Sequence, residues 1–362
     1  MRVVTILKAV HRIAPTWIRR RVPHQVKRSL LVRYWGITPF DFEGKPFDRV
    51  ATADDIYYCY RLLLGRLPDP DGWKTYEGVV RGGLDVGTLS ADFLASPEFR
   101  ARALARDGDS ADVVLLDLGD LRMYVTPDDF VGRSLVRDRT YEPHVSAALR
   151  SHLSPGRVLV DVGAHVGYHS LMAARLVGPS GRVLSFEPSP VSCSLLLRNV
   201  RVNGFLNVEV HPFAVAEARG VVRIEGCGSH ARIVDPDESS GTLPSGAMAM
   251  AVTLDEALRD VPRVDVIKMD IEGAEFRALQ GARETIARHR AVIFSELSPA
   301  GLQNVSGVSA KEYLQALIDA GYGLSAIDAS STLLACGTDV DHVLRLLDRS
   351  PATHLDIVAH PR

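Results

Sequence analysis

At residues 159–174 the chain reads LVDVGAHVGYHSLMAA. A short apolar run, a glycine-bearing turn and a helix-forming run follow in that order. Such a succession opens a βαβ unit, whose crossover helix brings the next strand back in the same direction. The alternation then repeats. Strands are predicted at 157–162, 182–187, 208–212, 221–225, 248–252, 264–269 and 291–296. Helices are predicted at 166–177, 190–202, 274–289 and 310–320, and the runs LSAIDAS, TLLACG and HLDIVA read as short closing strands. VVLLDL and RMYV read as an opening hairpin turning at Gly119-Asp120, followed by a helix from Tyr141 to His152. This pattern predicts an α/β domain over 107–362, a doubly wound and mostly parallel sheet with its ligand at the strand carboxyl ends.

Two regions precede it. Residues 51–106 read as helices separated by the turn Asp69-Pro70-Asp71-Gly72 and by Gly82-Gly83. Thr88 or Ser90 is the expected cap of the third helix. Residues 1–50 form a basic arm: Met1 to Phe40 holds nine Lys/Arg and no acid, with Trp17, Tyr34 and Trp35 interleaved. Basic and aromatic residues together make the arm a candidate for peripheral contact with an anionic membrane surface. The formal net charge of −2 gives no overall bias toward nucleic acid. Cys59, Cys193, Cys227 and Cys336 are far apart, which fits a reducing, cytoplasmic setting and predicts neither disulfides nor a zinc site. No signal-peptide pattern or bilayer-length apolar run is expected to direct the chain elsewhere. The loop 235–246 (DPDESSGTLPSG) is a candidate flap.

Which nucleotide the first loop fits follows from its spacing. A dinucleotide loop needs G-x-G-x-x-G, its second glycine letting the backbone touch a pyrophosphate. Here the order is Gly163-Ala164-His165-Val166-Gly167, with histidine where that glycine would fall. No G-K-[ST] follows, so a P-loop is excluded. Asp161 ends the first strand, and Glu187, 26 residues on, ends the second, where a carboxylate accepts hydrogen bonds from ribose hydroxyls. S-adenosylmethionine carries a ribose, an ammonium and a carboxylate but no phosphate. It suits the loop better than NAD does, with Asp161 toward the cation and N–H groups at the helix start toward the carboxylate.

Three runs, VLVDVGAHVGYHSLMAA, FEPSPVSCSLLLRNVRVN and VDVIKMDIEGAEFRALQGA, resemble the FkbM family of S-adenosylmethionine-dependent methyltransferases over roughly residues 110–330. The resemblance implies a class I methyltransferase fold, a Rossmann-like sheet of seven strands with the last antiparallel. It also implies O-methylation of a hydroxyl on a sugar, glycan or related product. His165 departs from the family, which more often has Asn there. By the same resemblance, Phe213 and Ala214 are expected near adenine, joining Asp161, Gly163, Ala164, His165, Gly167, Tyr168, Glu187, Pro188 and Asp270 as cofactor-binding candidates. Residues 51–106 resemble a small helical domain of unknown function (DUF4214-like) through Leu64-Gly65-Arg66, Asp69, Asp71-Gly72, Trp73, Gly82 and Ser96-Pro97-Glu98-Phe99. That module occurs in bacterial surface and glycan-related proteins.

Methyl transfer to a hydroxyl needs alignment and a base near the oxygen. Asp270 closes the strand of IKMDIEGAEF and is the first candidate base; Glu272 is the second, and Glu275 reads as structural. Glu296 ends the neighbouring strand and is the third acceptor-side candidate. Lys268, on a buried strand, is expected to form a salt bridge. His165 and His169, four apart, are expected to face solvent or cap the helix, and no metal ligand set is assigned. The alternatives are a nicotinamide-dependent oxidoreductase, disfavoured by His165, and a non-catalytic protein that binds a glycan or partner through residues 51–106.

Overall fold

The computed structural model describes residues 50–64, 67–99, 113–225, 232–234 and 247–362. The basic arm, Gly65-Arg66, Cys227 and the candidate flap lie outside them. Three helices come first: α1 (Ala53–Tyr58), α2 (Pro70–Arg81) and α3 (Val86–Leu94). Asp69 caps α2, whose first residue is Pro70, and the helix stops at Gly82. The cap of α3 is Asp85, whose carboxylate accepts from the N–H groups of Gly87 and Thr88, so neither Thr88 nor Ser90 fills that role. Ile56, Leu89, Phe93 and Leu94 close a small core over Cys193 and Leu197 of the following domain.

The hairpin β1 (Val114–Asp117) and β2 (Arg122–Val125) leads into α4 (Phe130–Asp138) and α5 (Pro143–Ser151). Then come β3 (Val158–Val162), α6 (Tyr168–Val177), β4 (Arg182–Phe186), α7 (Pro190–Asn203), β5 (Val208–His211), β6 (Ala214–Val215), β7 (Gly220–Glu225), β8 (Arg232–Val234) and β9 (Ala247–Val252). The chain continues with α8 (Leu254–Ala257), β10 (Val266–Met269), α9 (Glu275–Gln280), α10 (Arg283–His289), β11 (Val292–Leu297), α11 (Ala310–Asp319), β12 (Tyr322–Ile327), β13 (Leu333–Gly337), α12 (Val340–Arg349) and β14 (Leu355–Pro361).

Eight strands form one sheet in the order β13-β12-β14-β11-β10-β3-β4-β5. Strands β5, β4, β3, β10 and β11 pair in parallel; β14 runs antiparallel between β11 and β12. This is the class I methyltransferase arrangement, with β13 added antiparallel at the edge, so the sheet has eight strands where seven were expected. Both faces are covered. Val160, Leu184, Ile267 and Ile293 pack on one side, and Leu159, Val183, Val266 and Phe294 on the other, as period-two alternation requires. A second sheet, β6-β9-β7-β8, holds the strands predicted near 221–225 and 248–252.

Three local expectations change. The helix expected at 274–289 is two helices, because Gly281 lies against the Ala216 carbonyl where a side chain would collide. The second of them is capped from outside: the Asp255 carboxylate accepts from the N–H groups of Glu284 and Thr285. Thr253 caps α8, but Glu256 does not return the bond because its carboxylate pairs with Arg219 at 3.4 Å; reciprocal boxes form at Thr52 with Asp55 and at Ser309 with Glu312. Helix α12, between the closing strands, was absent from the sequence expectation and is capped by Asp339.

Candidate active site

The order of strands reverses between β3 and β10, and a cavity opens there beyond the carboxyl ends, its empty space about 820 Å3 including the part open to solvent. Asp161, Gly163, Ala164, His165, Tyr168, Glu187, Pro188, Asp270 and Glu272 all line it. Gly167, Phe213 and Ala214 are not on that wall; Phe213 and Ala214 are buried in the core. Ile224, Arg232 and Ile233 of the second sheet complete it. Nothing in the one-dimensional pattern marks those three, since they reach the site only through the pairing of β7 with β8.

The loop after β3 is closed by its own hydrogen bonds. The N–H groups of Gly163 and Ala164 both donate to the Phe186 carbonyl at 3.0 Å, and that of Gly167 donates to Ala164 at 2.8 Å. Gly163 has φ +84°, and a side chain there would strike the Asp270 carbonyl and the Ile271 side chain. His165 has φ +50°, a conformation in which Asn, Asp and His are enriched among non-glycine residues. That accounts physically for histidine in a position where the resemblance expects asparagine. The His165 N–H donates to Glu187 Oε2 at 2.8 Å. The amides of Gly163, Ala164, His165 and Gly167 are thus spent inside the protein, which leaves the N–H groups at the start of α6, from Tyr168 on, as the ones a ligand carboxylate would meet.

Glu187 Oε1 accepts from the Ser189 N–H at 2.7 Å. Each carboxylate oxygen retains a lone pair for a ribose hydroxyl. Burial pushes the Glu187 carboxyl up to about 7, against the pull of these two N–H bonds. Asp161 is almost wholly buried; its Oδ2 accepts from Ser170 Oγ at 2.5 Å, while Oδ1 has no hydrogen-bond partner among the described residues. An unsatisfied buried carboxylate oxygen beside a cavity is what an ammonium or hydroxyl group of a ligand would complete. Donors for ribose and ammonium are therefore matched by acceptors, and the residues present fit S-adenosylmethionine.

Lys268 and Asp161 are register partners on adjacent parallel strands, so their side chains share a face. Lys268 Nζ lies 2.9 Å from Asp270 Oδ2, the salt bridge its burial predicted. Burial works to raise the Asp270 carboxyl, but the Lys268 ammonium overrides it and holds Asp270 below its usual range. Burial would lower the Lys268 ammonium, and Asp270, Asp161 and Glu142 more than reverse that. Both partners are therefore charged. Glu272, in the left-handed region at φ +56°, lines the cavity on the other side of Asp270. Glu275 Oε1 accepts from the Ile271 and Gly273 N–H groups, a structural role as expected. His169 is neither exposed nor a cap: it is buried, with Nε2 3.2 Å from Ser146 Oγ, because α6 packs that face against α5. His165 precedes α6, so the two histidines do not share a helix face.

A narrow cleft adjoins the first, its empty space about 230 Å3 including the part open to solvent, with Lys268 and Asp270 lining both. Glu142, Glu296 and Asp356 line it too. Glu296 and Asp356 are register partners on β11 and β14, and Asp356 Oδ2 lies 2.7 Å from His144 Nε2. Burial and the neighbouring Asp270 push Glu296 up to about 9. Glu142 was not a candidate from the sequence. It lies before α5, over a hundred residues from Asp270, and only a left-handed backbone (φ +42°) at an unusual non-glycine cap marks it.

Comparison with known proteins agrees with this geometry. Residues 161–324 match the methyltransferase FkbM domain. The chain is 24% identical over 186 residues to methyltransferase sdnD of Sordaria araneosa, covering 43% of this chain and 69% of that one. It is 22% identical over 187 residues to methyltransferase 1 of Beauveria bassiana, covering 45% and 72%. A solved methyltransferase FkbM from Methylobacillus flagellatus is 17% identical with a TM-score of 0.36, covering 83% of this chain and 58% of that one. The matched segment runs from Asp161 into β12, and over it the chain is similar to S-adenosylmethionine-dependent methyltransferases of the FkbM type.

Proposed function

We propose that the protein transfers a methyl group from S-adenosylmethionine to a hydroxyl of a sugar, a glycan or a related hydroxylated product. The observation that carries this reading is the carboxyl-rich cavity formed by Glu142, Asp270, Glu296 and Asp356 next to the larger one. Carboxyl groups hydrogen-bond hydroxyls whether protonated or ionised, which favours a polyhydroxylated acceptor. Asp161, Gly163, Ala164, His165, Tyr168, Glu187 and Pro188 serve the donor. Gly167 shapes their loop, and Phe213 and Ala214 support the adenine side from behind the wall. Asp270, held charged by Lys268, orients the acceptor hydroxyl; Glu272 and Glu296 flank it. A carboxylate paired this closely is a strong hydrogen-bond acceptor and a weak base.

Calorimetry tests the donor: heat with S-adenosylmethionine and none with NAD is expected, and the reverse sinks the reading in favour of the oxidoreductase. Mass spectrometry of cellular glycans with and without the protein tests the acceptor, a fourteen-dalton loss in its absence being expected. Among the described residues no helix is long and apolar enough to cross a membrane. We place the protein in the cytoplasm, with its basic arm on the anionic inner face. Removing residues 1–40 should abolish sedimentation with anionic vesicles, and unchanged sedimentation would exclude the arm.

A further inference from the structure

We infer that Glu142 takes the proton of the acceptor hydroxyl, and that it gives up its own proton when the positively charged methyl donor binds. This deepens the methyl-transfer reading above and rests on it.

Placement comes first. A row of side chains crosses one face of the sheet at its carboxyl edge: Asp161 on β3, Lys268 on β10, and Glu296 beside Asp356 on β11 and β14. Helices α5 and α6 pack on that face. They set Glu142 Oε2 4.0 Å from His169 Nε2, itself on the wall of the larger cavity. Glu142 lines the smaller cavity, beside Lys268 and Asp270, which are on the walls of both. The unpartnered Asp161 Oδ1 marks the ligand position on the donor side of that row.

Chemistry then separates Glu142 from Asp270. The groups facing Glu142 are Tyr141, Asp270, Lys268, Asp356 and His169, with His144 coupled to it through Asp356. Burial, then Asp270, pushes Glu142 up to about 8, with Lys268 opposing. Such a carboxyl is a far better base than Asp270 once it is ionised, and it is largely protonated at neutral pH until a positive charge arrives. S-adenosylmethionine, when bound, supplies a methyl group on a positively charged sulfur. The Glu142 carboxylate formed in response removes the acceptor O–H proton. The oxygen's electron pair forms the new bond to the methyl carbon, and the carbon–sulfur pair stays on sulfur. That sulfur becomes neutral, and Glu142 keeps the acceptor's proton and so returns to its resting state, the one proton lost per turnover being the one released when the donor binds.

The test reads protons rather than turnover. Binding of S-adenosylmethionine and of the uncharged S-adenosylhomocysteine is measured calorimetrically at pH 7.5 in buffers of different ionisation enthalpy. In the wild type, S-adenosylmethionine should release roughly 0.5–0.7 proton more per site than S-adenosylhomocysteine. Glu142→Gln should abolish that difference and, by linkage, weaken S-adenosylmethionine binding by about three- to tenfold. Glu142→Asp should keep it with a shifted pH midpoint, and unfolding curves check that both variants are folded. An equal difference in Glu142→Gln, or none in the wild type, overturns the proposal and leaves the donor site standing. Failure of both ligands to bind the wild type overturns the donor site and this inference together.

Discussion

Replacing Lys268 with Met keeps the aliphatic volume and deletes one charge, so it isolates what the buried cation does. At 2.9 Å from Asp270, an effective dielectric of about 20 gives an attraction of about 6 kcal/mol. Desolvation of both ions offsets much of it, but removing one partner strands the other. Here the stranded groups are Asp270 and the register partner Asp161. The expected loss is about 3–5 kcal/mol at pH 7, measured by urea unfolding. The pH dependence follows by sign. In the wild type Asp270 has a lowered pKa, so its contribution is present above its ordinary value of 3.8 and is lost as pH falls through its folded value. In Lys268→Met the Asp270 carboxyl becomes raised instead and Asp161, already raised by burial, rises further, so the folded state holds extra protons and loses stability as pH rises above the ordinary carboxyl range. The gap between the two proteins should therefore be widest near neutrality and narrow toward pH 4. A loss under about 1 kcal/mol, or a gap independent of pH, would refute the view that Lys268 neutralises this row of carboxylates.

Three further perturbations bear on separate parts of the structure. Gly163→Ala forces a side chain into a left-handed backbone and against the Asp270 carbonyl; it should cost about 1–3 kcal/mol in unfolding and abolish S-adenosylmethionine binding by calorimetry. Glu187 has a raised pKa of about 7 against an ordinary 4.5, so the stability it contributes is full below pH 4.5 and is lost as pH rises toward 7; Glu187→Gln should flatten that part of the unfolding profile and weaken donor binding at least tenfold. Asp255→Ala removes the cap of α10 and should lower stability by about 1–2 kcal/mol with donor affinity unchanged, a change in affinity being the result that breaks the separation.

The sequence by itself determined the fold class. Short apolar runs such as 158–162 and 182–186, glycines in the loop at 163–167, and Ser189-Pro190 at a helix start are all local signals, and each sits where local reading puts it. It also determined most of the donor side, because Asp161, Glu187 and Asp270 close strands and parallel pairing brings strand ends to one edge. What only the tertiary structure decided involves groups distant along the chain. The loop amides turned inward because Phe186 and Glu187 were there to accept them. The helix at 274–289 broke because Gly281 meets Ala216, and its second half is capped by Asp255. Ile224, Arg232 and Ile233 reached the cavity through a second sheet. Glu142 became a neighbour of Asp270 because α5 packs over the edge where β10 ends. Periodicity and turn chemistry act over a few residues. The proton affinity of a carboxyl depends on which charges the fold places beside it, and that is set only when the chain has closed.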